Sequence, residues 1–83
     1  MNATLQVIGT KECATLIVEP WAEEVALKGG VTYEIVATAK DMPWFQVEPR
    51  ATALIVHVNG RHATFEVQRD GEAIAGSDVP TPT

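Results

Sequence analysis

The chain has 83 residues, 46% of them hydrophobic, with 11 acidic side chains against 6 basic ones. That length bounds a single domain, and folding at this size buries only about 60–65% of the extended chain's surface, so a compact core is easier to build than a deep enzyme cleft. The acid excess and the scattering of Lys11, Lys28, Lys40, Arg50, Arg61 and Arg69 argue against nucleic acid and anionic membranes, because phosphate recognition wants clustered cations.

Apolar residues alternate with polar ones at period two, the pattern of half-buried strands. Leu5-Gln6-Val7-Ile8 opens it, followed by Ala14-Thr15-Leu16-Ile17-Val18, which should stop or bend at Pro20. Glu24-Val25-Ala26-Leu27 turns Val25 and Leu27 inward, and Lys28-Gly29-Gly30 offers the positive φ of a tight hairpin. Val31 to Ala37 then places Val31, Tyr33, Ile35 and Ala37 on one face. Trp44 to Glu48 reads as a strand bracketed by Pro43 and Pro49.

In the second half, Asn59-Gly60 separates Leu54–Val58 from Arg61–Val67, the strongest short-range hairpin signal. A two-residue loop there pairs His57 with His62 and puts Leu54, Val56, Val58, Ala63, Phe65 and Val67 on a core face. Asp70-Gly71 repeats the device, with Arg69 opposite Glu72 and Val67 opposite Ile74, extending the sheet to a meander. No segment shows 3.6 periodicity over a helical length. The expected fold is all-β: a small antiparallel β-sandwich or partly open barrel of six or seven short strands. Residues 1–76 form the domain, and 77–83, with Pro80 and Pro82, form a flexible tail with almost nothing to bury.

The chemistry-bearing side chains are few. His57 and His62, paired across the expected hairpin, could share a Zn, Ni or Cu ion, but no third or fourth ligand is obvious, and a solvated pair is the simpler reading. Cys13 has no histidine near it in sequence and suits a half-buried hydrophobe better than a nucleophile. The only serine, Ser77, lies in the tail, and neighbouring Glu23 and Glu24 point to opposite strand faces. No catalytic residue and no cofactor are therefore expected. Trp21 and Trp44, beside Pro20 and Pro43, either cap the core or stand as surface anchors.

Glu19-Pro20-Trp21, then Gly29-Gly30-Val31-Thr32-Tyr33-Glu34-Ile35-Val36, then Arg69-Asp70-Gly71-Glu72, resemble a group of small uncharacterised bacterial all-β proteins. Those are similar in a strand ending in Glu-Pro-Trp, a glycine turn and a C-terminal Asp-Gly hairpin. The likeness covers about residues 14–75. It departs at Ala22, where a glycine is common, and in the His57/His62 pair. The resemblance implies the fold and carries no activity.

With one cysteine, no apparent leader and no apolar run of spanning length, the reading is a cytoplasmic, bacterial-type protein. The expected role is a non-enzymatic interaction or accessory module. A protein partner or a weak homodimer would engage an open strand edge, with the segments around Leu5–Ile8 and Trp44–Glu48 the candidate edges. The alternative is a weak metal- or small-ligand-binding protein using His57 and His62.

Overall fold

Val, Ile and Thr dominate the periodic segments, and in a computed structural model describing residues 1–82 these segments become strands, with no helix among the described residues. In chain order they are β1 (Asn2–Ile8), β2 (Thr15–Glu19), β3 (Glu23–Ala26), β4 (Thr32–Thr38), β5 (Trp44–Pro49), β6 (Ala53–Asn59), β7 (Thr64–Arg69) and β8 (Glu72–Ser77). They form two four-stranded sheets, ordered β1-β4-β7-β8 and β3-β2-β6-β5, and neither closes into a barrel. The strand number is thus eight rather than six or seven, with even the four-residue β3 pairing along its whole length with β2. All ladders are antiparallel except β2 with β6, which is parallel.

The core lies between the sheets. Val7, Tyr33, Ile35, Ala37, Phe65 and Val67 come from the first, and Leu16, Val18, Val25, Val56 and Val58 from the second. These are the inward positions that period-two reading assigns. Tyr33 brings a polar atom to this core, and its hydroxyl accepts the Lys28 backbone N–H at 2.8 Å.

Several pairings differ from expectation. Asn59-Gly60 is not a hairpin turn: β6 lies between β2 and β5, whereas β7 lies between β4 and β8 in the other sheet. A type I′ loop needs both central residues at positive φ, and of the two only Gly60 has it, at 148°. Lys28-Gly29-Gly30 likewise carries the chain from β3 to β4 across the core rather than folding a hairpin, although Gly30 does take φ 80°. Asp70-Gly71 is a true hairpin turn, with φ values of 52° and 78° and Arg69 opposite Glu72. A bulge then shifts the register, so Val67 meets Ala75 and not Ile74.

The tail is also corrected. β8 runs to Ser77, past the expected boundary at 76, and the chain then docks. Thr81 is buried; its N–H donates to the Ala63 carbonyl at 2.9 Å, its Oγ1 accepts the Ala63 N–H at 2.9 Å, and its hydroxyl donates to the Gly60 carbonyl at 3.1 Å. Ala63 is buried between the turn at Arg61-His62 and the start of β7, so its peptide groups need partners, and Thr81 supplies them. Thr83 lies outside the described residues.

Candidate functional site

At one end of the β3-β2-β6-β5 sheet, four pieces of chain converge: the end of β2, the start of β5, the end of β6 with its outgoing loop, and the docked Thr81-Pro82. They enclose an open cleft of about 580 Å³, walled by Glu19, Trp44, His57, Asn59, Arg61 and Thr81 among others. Its floor follows from strand alternation: Val56 and Val58 turn into the core, so His57 and Asn59 face outward.

His57 lies opposite Glu19 of β2 and Gln46 of β5. Its Nε2 stands 3.7 Å from Oε1 of Glu48, which also pairs with Arg50. The cleft's rim is tied by Asp41, whose Oδ1 accepts the Arg61 backbone N–H at 2.8 Å, and by the Lys40 N–H donating to the Arg61 carbonyl at 2.9 Å. Asn59 reaches from the floor toward the Gln46 side-chain carbonyl at 3.5 Å, at the outer limit of hydrogen bonding.

The two tryptophans take different roles. Trp21 packs its ring on Phe65, centroids 4.5 Å apart, and donates its indole N–H to the Val79 carbonyl at 2.7 Å. It caps the core and clamps the tail. Trp44 opens edge strand β5 opposite Asn59 and remains 55% exposed at the mouth of the cleft.

His57 and His62 are not brought together as a cross-strand pair. His57 sits in β6 facing the cleft, while His62 is exposed on the connection to β7 with φ 50°. The pairing failed because the strands on either side of Asn59-Gly60 belong to different sheets. Among the described residues no group of three His, Cys, Asp or Glu side chains is arranged to hold a metal ion. Cys13 is half-buried against the core beside a turn in which its N–H donates to Thr10 Oγ1 at 2.9 Å.

Sequence reasoning missed Thr81 and Asp41. A signal existed for Thr81: a residue before proline is held extended, so Pro80-Thr81-Pro82 is preset to lie along a strand rather than to wander. For Asp41 no sequence signal distinguishes a rim-tying carboxylate from a solvated one.

Fold and site together define a small all-β sandwich with unsealed strand edges and a cleft of mixed polar and apolar lining bearing one exposed tryptophan. No protein-family model matches the chain, and no curated protein or solved structure matches it either. No helix is long and apolar enough to cross a membrane among the described residues.

Proposed function

We propose that the protein is a non-enzymatic interaction module that takes an extended segment of a partner protein along β5, anchored on Trp44. The observation that carries this reading is the exposure of Trp44, with Val47 49% exposed behind it on the same open edge. A large ring held in water costs hydrophobic free energy that a partner would recover.

The backbone supports the same reading. Arg50 donates its N–H to the Ala53 carbonyl across the β5–β6 turn at 2.8 Å. Alternation from that bond aims the peptide groups of Trp44, Gln46 and Glu48 at β6 and those of Phe45 and Val47 at the open side. Pro49 falls on the open side too, where its missing N–H costs no ladder bond. It stops a partner strand from running on, so the edge accepts a short segment and resists indiscriminate pairing. A cytoplasmic setting belongs to the same proposal.

The test is selection of binding peptides on the intact chain, followed by titration on Trp44→Ala. Binding should weaken at least ~10-fold, as for loss of an interface anchor, and the Phe45 and Val47 amides should move in NMR spectra. Selected peptides that bind Trp44→Ala as well as the parent would sink the proposal. So would a large fall in stability of that variant, since the ring would then belong to the fold.

A further inference from the structure

The opposite sheet has an edge of another kind. β1 has β4 on one side and, among the described residues, no strand on the other. At its two ends, Ala39 donates to the Met1 carbonyl at 2.9 Å and Gly9 donates to the Val31 carbonyl at 3.0 Å. With Asn2 opposite Thr38 and Ile8 opposite Thr32, these bonds fix the alternation: odd residues turn their peptide groups to β4. The N–H and C=O groups of Asn2, Thr4, Gln6 and Ile8 therefore point away from the sheet, and none has a hydrogen-bond partner among the described residues.

The chain guards its other edges. β3 is four residues long and carries Glu23 and Glu24; β5 has Pro49 and Glu48; β8 begins at Glu72 and is paired through a bulge. These are the usual devices against edge pairing. β1 is seven residues long with no proline, charge or bulge.

We infer that β1 is a self-association surface, pairing antiparallel with β1 of a second copy about a two-fold axis through Leu5. A second copy is the occupant the observations favour. The chain's net charge of −5 opposes approach of an identical molecule, least so where no local charge adds to it, and β1 is an edge strand of seven residues without one. The register is self-complementary. With Leu5 on the axis, Asn2 faces the partner's Ile8 and Thr4 faces the partner's Gln6, so all outward groups of both strands are used. Each such pair exchanges two hydrogen bonds. Shifting by two residues in either direction leaves one outward residue of each copy unpaired. No like charges meet, and the half-buried Leu5 of each copy covers the other at the closer, non-hydrogen-bonded position. The two four-stranded sheets become one continuous sheet of closed, two-fold symmetry. The proposal is independent of β5 and Trp44.

An edge-to-edge contact of this size belongs to the weak class, so sedimentation equilibrium of the full chain should span about 10 µM to about 1 mM. The expected result is a rise from 8.9 kDa toward twice that mass. Thr4→Pro removes an outward N–H that no ladder uses, so the monomer should fold as before while dimerisation weakens about thirtyfold. Thr4→Lys/Gln6→Lys sets cations opposite one another and should abolish the dimer, although it lowers the net negative charge. Thr4→Lys/Gln6→Glu sets opposite charges face to face and should restore it. A parent chain monomeric at the highest concentration overturns the inference, as does a dimer indifferent to Thr4→Pro or to the double lysine variant. Should Thr4→Pro fail to fold, the two charge variants decide alone.

Discussion

Gly60 offers the sharpest check on how the two sheets are joined. It takes φ 148°, and a Cβ built there falls 2.9 Å from the Ala39 Cβ and 3.4 Å from both Asp41 Oδ1 and the Pro43 Cα. Ala39 is buried, and the Lys40–Arg61 backbone bond holds the two connections together, so neither neighbour can withdraw cheaply. The backbone strain of an L residue at such a φ costs about 1–3 kcal/mol. Forcing a methyl group into a filled space costs about 1–3 kcal/mol more. Gly60→Ala should therefore lose about 2–6 kcal/mol of a total near 4–12 kcal/mol for a domain of this length, and Gly60→Val should lose more. Gly71→Ala is the matched control, because Gly71 has φ 78° but nothing within 4 Å of its Cβ. It should lose only about 1–2 kcal/mol, the cost of the left-handed conformation. Urea midpoints of the two variants give the difference directly. Equal losses would refute the close approach of the β4–β5 and β6–β7 connections.

Truncation after Gly76 removes the Thr81 bonds to Ala63 and Gly60 and the Trp21–Val79 bond, and should cost about 2–4 kcal/mol in urea denaturation; an unchanged midpoint would show the docked tail to be idle. Trp21→Ala, which uncovers Phe65, should cost about 2–4 kcal/mol by the same assay. Tyr33→Phe leaves the Lys28 N–H without its acceptor and should lower stability by about 1–2 kcal/mol, a change that thermal melts of the two proteins would show.

Which side chains are buried was legible; which strands are neighbours was not. Val56, Val58, Ala63, Phe65 and Val67 are all buried, as alternation predicts, yet no hairpin pairs them, because β6 and β7 lie in different sheets. The reason is geometric. Whether two consecutive strands lie side by side or face each other across a sandwich, their apolar positions keep the same period of two. Only the turn separates the cases, and Asn-Gly at Asn59-Gly60 is read as a hairpin although only Gly60 has positive φ. The edges fared better: β1 and β5, the segments expected at the rims, both lie there. The cleft was not legible, since it gathers Glu19, Trp44, Asn59 and Thr81 from parts of the chain that only the topology brings together.

The bulge in β8 shows a local rule yielding to a tertiary contact. A regular ladder from Arg69–Glu72 places Ile74 opposite Val67 and Ala75 opposite Glu66. In the structure Ala75 meets Val67, Gly76 meets Glu66, and Ile74 is 47% exposed. The position opposite Glu66 explains the shift: a Cβ built on Gly76 would lie 2.7 Å from the Phe65 carbonyl oxygen, which is backbone and cannot move aside. Only glycine fits, and one extra residue in β8 delivers Gly76 there while handing the inward place to the smaller Ala75. Two substitutions follow from this. Ile74→Asp should change stability by no more than about 0.5 kcal/mol, as at an open surface site. Gly76→Ala should cost about 1–3 kcal/mol through overpacking against the β7 backbone. The regular register gives a different ranking, because Ile74→Asp would then bury a charge beside Val67 and cost several times more. Urea melts of the two variants distinguish the registers: an Ile74→Asp protein that unfolds well before Gly76→Ala removes the bulge.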